Sequence, residues 1–272
     1  MIESLLDVGK YALSRDKKNI NDVVDILVEN PASSDLYKHI LTIDLDKKGK
    51  EFKFSGVELE EYSKKKIKKY LYRRGSSSNG PDITPTSRVT ETSKTFKRKI
   101  LLGVKQQLKN NKIYSFTEDE QEFVMALENC LNENEEVILS QLEKKSEGIN
   151  KKENAIMTIV INDGGKKYIG DFSIFRKILE IKGIANFYRK YKTESISENK
   201  ICSVCKNQKE KIYGFVNTYN FYTANKPGSV SGGFDQSLAW KNYPVCHDCA
   251  LILEYGKKYL EEFSRFNFYG FD

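Results

Sequence analysis

Four of the five cysteines form two pairs with identical spacing, and this pattern constrains the fold more than any other feature of the chain. The pairs are Cys202 with Cys205 and Cys246 with Cys249. A Cys-x-x-Cys turn places two thiolates on one side of a tight knuckle, so two such turns can complete a tetrahedral site. We therefore predict one Zn²⁺ ion at these cysteines. Four thiolates leave no open position for water or substrate, so the predicted zinc is structural.

The alternatives for these cysteines are disulfides, a redox pair or ordinary core residues. No signal peptide or further cysteine-rich segment accompanies them, so we expect an intracellular protein, where disulfides rarely persist. Forty residues separate Cys205 from Cys246, which predicts an insert between the knuckles. The second knuckle leads into an apolar helical pattern that begins near Asp248, and this order is typical of a treble-clef-like zinc segment. Cys130 lies in a separate helical pattern and is predicted to be a buried small hydrophobe.

Positive charge is concentrated in one part of the sequence. The chain carries a net charge of +7, whereas residues 47–109 contain 18 Lys and Arg against 6 Asp and Glu. Residues 110–154 are acidic, with 5 basic and 11 acidic side chains. A block of this kind predicts either a solvated face or a surface that binds nucleic acid. No apolar run approaches the roughly 20 residues of a membrane span, so we expect a cytoplasmic protein without membrane contact.

A loop rich in glycine, hydroxyl and arginine residues lies inside the basic block, at residues 73–88. Glycine lets backbone amides approach an anion, hydroxyls donate short hydrogen bonds, and arginine matches phosphate oxygens. The loop and the helix predicted at 92–108 therefore predict a sugar-phosphate-binding surface, with a flexible linker as the open alternative. The candidate nucleic-acid-binding residues are Arg73, Arg74, Ser76, Ser77, Asn79, Thr84, Thr86, Arg88, Lys94 and Lys97.

The fold class predicted from these patterns is α+β. Alternating apolar residues predict a hairpin over 36–57, a β-branched run predicts a strand over 155–162, and a capping box at 117–120 predicts a helix start. We expect a mixed N-terminal domain of helices and short antiparallel strands over residues 1–194, which binds nucleic acid. Residues 195–272 are expected to form the treble-clef-like four-cysteine zinc segment with its C-terminal helix.

Residues suited to catalysis are sparse. His39 has no acidic or nucleophilic neighbour at motif spacing, and His247 lies inside a Cys-x-x-Cys turn. Neither histidine therefore has the sequence context that a histidine-based nuclease or catalytic triad requires. Asp163 and Asp171 flank a predicted turn and are the candidate ligands of a metal-dependent active site, although acids are common in turns. The sequence favours a protein that is not an enzyme.

Aromatic residues are dense between the two knuckles. Two interpretations remain open for them: they stack nucleobases, or they pack beneath the knuckles as core. The residues are Tyr219, Phe221, Tyr222, Phe234, Trp240 and Tyr243.

Two blocks of the chain resemble the large subunit of type I-B CRISPR interference complexes (Cascade). The first covers 70–75, 79–88 and 94–96, and the second covers 202–205, 213–215, 221–222, 226–228, 232–235, 239–250 and 256–260. Members of that family are usually longer, so the resemblance implies an N-terminal portion that includes the zinc-finger segment.

The resemblance implies a non-catalytic subunit of an RNA-guided antiviral complex. It implies contacts with the 5′ handle of the guide RNA and with the short motif that flanks the target in double-stranded DNA. Other Cascade subunits and a recruited helicase-nuclease, which performs cleavage, are the implied protein partners. Two alternatives stay open: a metal-dependent nuclease or guide-RNA-processing enzyme, and a zinc-stabilised module that binds only protein.

Overall fold

The computed structural model describes residues 2–32, 34–75, 80–190, 193–219 and 235–263. Within these ranges no helix is long and apolar enough to cross a membrane. The helices are α1 (Ile2–Arg15), α2 (Val23–Leu27), α3 (Ile67–Tyr70), α4 (Thr92–Thr95), α5 (Leu102–Lys109), α6 (Asn111–Tyr114), α7 (Glu118–Glu133), α8 (Glu135–Ser146), α9 (Ser173–Ala185) and α10 (His247–Phe263). The strands are β1 (Tyr37–Lys48), β2 (Glu51–Glu61), β3 (Thr86–Arg88), β4 (Asn154–Asn162), β5 (Lys166–Tyr168), β6 (Arg189–Lys190), β7 (Thr193–Glu194), β8 (Ile196–Ile201), β9 (Gln208–Tyr213) and β10 (Val245–Cys246).

The chain forms two compact units, and one of them is discontinuous in sequence. The central unit comprises residues 28–181, and the split unit comprises residues 1–27 together with 182–272. This division differs from the predicted boundary at residue 194, because helix α1 packs on α10 and therefore belongs with the C-terminal segment. A helix that pairs across more than two hundred residues leaves no local signal in the sequence.

The central unit is built on one mixed sheet with strand order β2-β1-β4-β3, and β5 also pairs with β4. Strands β1 and β4 are parallel, and the other pairs are antiparallel. Residues 40–45 of β1 and 155–161 of β4 are all buried, so both faces of the sheet centre are covered. The predicted hairpin is confirmed, with Gly49 in a left-handed conformation (φ 63°) at its turn.

Helices cover the sheet of the central unit. α7 and α8 pack against β2, and α5 packs against α7. The predicted capping box is present, because the Thr117 hydroxyl accepts from the Glu120 amide at 3.2 Å and the Glu120 carboxylate accepts from the Thr117 amide at 2.9 Å. The helix predicted at 92–108 is continuous, but it includes a π-helical stretch at Phe96–Leu101 between α4 and α5.

The split unit combines a helix pair with a small sheet. α1 crosses α10 at glycines, and a Cβ placed on Gly9 would lie 2.3 Å from the Ile252 carbonyl oxygen. The sheet has strand order β10-β9-β8, and all its pairs are antiparallel. The second knuckle starts in β10 and continues directly into α10, which confirms the predicted order of knuckle, strand and helix. The mixed α+β class with a four-cysteine segment near the C-terminus is therefore confirmed.

Candidate metal centre and candidate nucleic-acid interface

The four paired cysteines meet in one cluster. The Sγ atoms of Cys202, Cys205, Cys246 and Cys249 all lie within 4.8 Å of one another. Sulfur ligands about 2.3 Å from a tetrahedral zinc ion are separated by about 3.8 Å, so the cluster fits such an ion. Among the described residues, no other group of three or more His, Cys, Asp or Glu side chains comes together in this way.

Local backbone geometry explains how the first knuckle forms. The Lys206 amide donates to the Cys202 carbonyl at 2.9 Å, and Lys206 adopts a left-handed conformation with φ 62°. The Cys202 amide donates to the Asn207 carbonyl at 2.9 Å and closes the turn. The Ser203 amide donates to the Pro244 carbonyl at 2.7 Å and ties the first knuckle to the second. The knuckles are therefore held together by the backbone as well as by their cysteines.

The Cys202 sulfur is arranged to carry negative charge. It accepts hydrogen bonds from the amides of Val204 (3.4 Å) and Cys246 (3.3 Å). Hydrogen bonds from the Cys246 and Cys249 thiols lower the pKa of Cys202, and the hydrogen bond that Cys246 makes with Cys202 raises the pKa of Cys246. One thiolate supported by neighbouring thiols and amides is a donor set that suits a thiophilic cation.

Burial matches a structural role for the cluster. Cys202, Cys246 and Cys249 are buried, and Cys205 is partly exposed. Cys130 lies elsewhere, in α7, where it is buried as predicted, and burial raises the pKa of its thiol. The cluster thus uses the four cysteines that the spacing predicts.

Several predicted nucleic-acid ligands are engaged inside the central unit. Thr84 is 1% exposed and its hydroxyl donates to the Leu71 carbonyl at 2.6 Å. Thr86 is fully buried and its hydroxyl donates to the Tyr70 carbonyl at 2.6 Å. Both hydroxyls hold the segment 70–86 together, and a contact of these two residues with nucleic acid stays a prediction. The sequence around Thr84 and Thr86 does not predict that these two side chains are buried.

The arginines of the loop have different environments. Arg73 is 6% exposed, and its guanidinium lies 3.7 Å from the Glu29 carboxylate. Arg88 donates to the Pro31 carbonyl at 2.6 Å and lies 5.5 Å from the centroid of the Tyr72 ring. Both side chains have partners within the fold, and their contact with phosphate stays a prediction. Arg74 is exposed.

The two lysines predicted on the following helix are exposed and paired with acids. Lys94 binds Glu91 one turn away, and Lys97 lies 2.9 Å from Glu135 of α8. Surface pairs of this kind contribute little stability and exchange readily with other anions. Ser76, Ser77 and Asn79 lie outside the described residues.

The loop that carries these candidates has a fixed base. The Ile83 amide donates to the Arg73 carbonyl at 3.0 Å, and the Gly75 amide donates to the Asp82 carboxylate at 3.0 Å. Asp82 is buried and also accepts from the Ser87 hydroxyl at 2.5 Å. We call residues 73–75 with 80–83 the neck. Sequence reasoning missed Asp82 as its organiser, although Asp within a Gly/Pro segment commonly binds nearby amides.

The candidate catalytic acids have structural partners. The Asp163 carboxylate lies 3.0 Å from Lys167 and 3.5 Å from Lys47, and the hydrogen bond from Lys167 lowers its pKa. Asp171 accepts from the Tyr168 amide at 2.9 Å in a capping interaction. His39 pairs with Glu153 at 2.7 Å, and its ring therefore has a partner that the sequence spacing conceals.

Fold and site together define a mixed α/β protein in which four clustered cysteines form a candidate metal site. Residues 1–181 match the family model described as the N-terminal domain of CRISPR-associated protein TM1802, and residues 199–272 match its central domain. The chain therefore belongs to the CRISPR-associated TM1802 family, the large-subunit family of type I-B systems. No curated protein and no solved structure matches the chain. The resemblance drawn from the sequence is confirmed at the level of the family.

Proposed function

We propose that this chain is a non-catalytic, nucleic-acid-binding and scaffold subunit of a type I-B RNA-guided complex that targets DNA in the cytoplasm. Membership in the TM1802 family is the observation that carries the proposal. In such complexes base pairing with the guide reads the target sequence, so the protein needs only to grip backbone, inspect a short flanking motif and favour duplex opening. Its partners are the guide RNA handle, target duplex DNA, other Cascade subunits and the helicase-nuclease that cleaves.

The metal proposed for the cysteine cluster is Zn²⁺ in a structural role. Four thiolates suit zinc, and their spacing of at most 4.8 Å fits its tetrahedral shell. When bound, the ion supplies coordination bonds that join the two knuckles. The chain's own contribution is the backbone bonding that positions the sulfurs and the Val204 and Cys246 amides that stabilise the Cys202 thiolate.

The nucleic-acid surface proposed for the central unit is smaller than the sequence predicts. It is centred on Arg74 at the neck and on the lysine-rich stretch just before it. Lys65 and Lys69 are exposed there, and the structure shows no ion pair for either within the described residues. Unpaired cations meet phosphate without first breaking an internal salt bridge, so these three residues are better candidates than Arg73 or Arg88.

The combined replacement of Arg74, Lys65 and Lys69 by alanine is expected to weaken binding of duplex DNA and guide RNA. Each lost phosphate contact reduces the slope of log affinity against log salt by about 0.9 for duplex DNA, so the slope should fall by about 2 to 3. Titration of labelled nucleic acid over a series of salt concentrations measures both quantities in the full chain.

The matched control replaces Lys144 and Lys145, two exposed lysines of α8 in the acidic part of the chain. This double variant should keep the wild-type affinity and slope. If the triple variant also keeps them, Arg74 and its neighbouring lysines have no place in binding. Normal assembly with the other subunits, without any contact to RNA or DNA, would favour the alternative of a protein-interaction module.

The enzymatic alternative is weakened by the partners of the two candidate acids. Asp163 is engaged by Lys47 and Lys167, and Asp171 caps a turn. We expect no cleavage when the purified protein is incubated with RNA or DNA and Mg²⁺, and no difference for Asp163→Asn or Asp171→Asn. Asparagine retains a cap oxygen at position 171, so a folding defect does not confuse the assay. Cleavage that survives purification and disappears in Asp171→Asn would establish the nuclease instead.

A further inference from the structure

An open groove of about 430 Å³ lies on the split unit, beside the knuckles. Its walls include Trp240 and Lys241 from one segment and Lys200 and Ile201 from the end of β8. Pro244 also lines the groove. The sequence leaves the role of Trp240 open between core packing and base stacking, and the structure places the ring at this groove with part of its surface exposed.

Two lysines flank the indole of Trp240. The Lys200 Nζ lies 5.9 Å and the Lys241 Nζ 5.8 Å from the ring centroid. Neither ammonium has a salt bridge within the part of the chain that the structure describes. Lys241 attracts the exposed Asp235 carboxylate electrostatically, but that carboxylate is hydrogen-bonded by the amide and hydroxyl of Ser237 at 2.9 and 2.6 Å. Two cations within 6 Å of the centroid of one aromatic ring create a site for an anionic ligand with a flat apolar part.

The backbone of Trp240 is held rigidly. Its amide donates to the hydroxyl of the buried Ser195 at 3.0 Å, and that hydroxyl donates to the Ser237 carbonyl at 3.0 Å. Gly214 makes this approach possible, because a Cβ there would lie 2.5 Å from the Trp240 nitrogen. A ring on a fixed backbone loses little conformational entropy when a ligand stacks on it.

Apolar side chains also line the groove. Ile201 is 63% exposed, which is unusual for an isoleucine at the end of a paired strand. Pro244 is fixed beside it, since its carbonyl accepts the Ser203 amide at 2.7 Å. The groove therefore combines an aromatic ring, two apolar side chains and two lysines, and the polar residues Asn199 and Gln208 complete its lining.

We propose that this groove binds single-stranded nucleic acid, with one base stacked on Trp240 and the adjacent phosphates contacted by Lys200 and Lys241. Stacking platforms flanked by cations are the usual means of binding unpaired strands with little sequence preference. The inference rests on the proposed function and deepens it, because it adds a single-strand contact on the split unit to the surface at the neck of the central unit.

Trp240 is the one tryptophan of the chain, so its fluorescence reports on the groove directly. Iodide should quench the emission of the free full-length protein, which establishes that the ring is accessible. Oligothymidylate and oligouridylate of ten nucleotides should then quench the emission in a saturable and salt-dependent manner. If iodide does not quench the emission of Trp240, the groove is covered and the proposal is wrong.

The charge-reversal variant Lys200→Glu with Lys241→Glu should weaken binding of both oligonucleotides by about 10-fold or more, since stacking and phosphate contact are both affected. Trp240→Ala, measured with a labelled oligonucleotide, should lose a similar factor, whereas Trp240→Phe should retain part of it. Lys211→Glu is the matched control, because Lys211 is exposed on β9 of the same sheet and does not line the groove. Charge reversal at exposed lysines tests the site even if Trp240→Ala loosens the fold.

Three other results would contradict the proposal in distinguishable ways. If the groove variants bind single strands with wild-type affinity while duplex binding still depends on Arg74, the groove is not a nucleic-acid site and the proposed function stands. Failure of the wild-type chain to bind any nucleic acid removes both. Equal quenching by polyglutamate indicates an acidic protein as the occupant.

Discussion

Serine in place of Cys249 is expected to abolish metal binding and to unfold the cysteine segment of the split unit. Zinc coordination in small domains contributes about 10 kcal/mol or more to folding, and loss of one thiolate leaves an incomplete shell. Elemental analysis should show a fall from one zinc per chain to nearly none. Hydrogen exchange should become fast in β8, β9 and the start of α10, while β1 and β4 of the central unit keep their protection.

Cys130→Ala provides the control for this experiment, because Cys130 is a buried thiol outside the cluster. It should keep one zinc per chain and lose only the modest stability of a small core truncation. A Cys249→Ser protein that retained both its zinc and the protection of β8 and β9 would show that the cluster is not the metal site.

Leucine in place of Gly9 is expected to separate α1 from α10. A Cβ on Gly9 would lie 2.3 Å from the Ile252 carbonyl oxygen, and one on Gly256 would lie 2.9 Å from the Gly9 Cα, so the two backbones leave no room for a side chain. Overpacking at such a contact costs about 3 kcal/mol. Denaturant unfolding should report this loss, and hydrogen exchange should locate it in α1 and α10.

Lys10→Leu adds the same side chain at the next position of α1, where Lys10 is exposed. It should leave the free energy of unfolding within about 0.5 kcal/mol of the wild type, as is usual at surface positions. If Gly9→Leu has an equally small effect, the helices do not pack through these glycines.

The metal centre and much of the secondary structure are predictable from the sequence because their signals are local. The spacing of the four cysteines encodes two knuckles, the segment Thr117–Glu120 encodes a helix start, and Gly49 lies at the turn of an alternating pattern. Each of these depends on residues within a few positions of one another. That the two knuckles join into one site also follows from the sequence, since four thiols in two equal pairs suit one ion.

The functional roles in the basic block could not be assigned from the sequence, because they depend on distant partners. Arg73 and Arg74 are adjacent, yet one is buried against Glu29 and the other is exposed. Thr84 and Thr86 have the residue type of phosphate ligands, but carbonyls of the segment 70–71 use their hydroxyls. Composition reveals an excess of charge, whereas burial decides which charges remain available.

The parallel pairing of β1 with β4 and the discontinuous split unit escaped prediction for the same reason. More than a hundred residues separate β1 from β4, and their buried apolar runs do not indicate direction. Apolar periodicity in α1 and α10 shows that each helix has a buried face, but not that they share it.

The pairing of α1 with α10 has a consequence for the order of events during synthesis. The residues of α1 are made before their partner helix, which follows more than two hundred residues later in the chain. The central unit, whose strands all lie between residues 37 and 168, is complete long before then. The apolar face of the amphipathic segment α1 therefore lacks its partner helix in the nascent chain until residues 247–263 have been synthesised. During this interval the apolar face of α1 is not yet covered by α10.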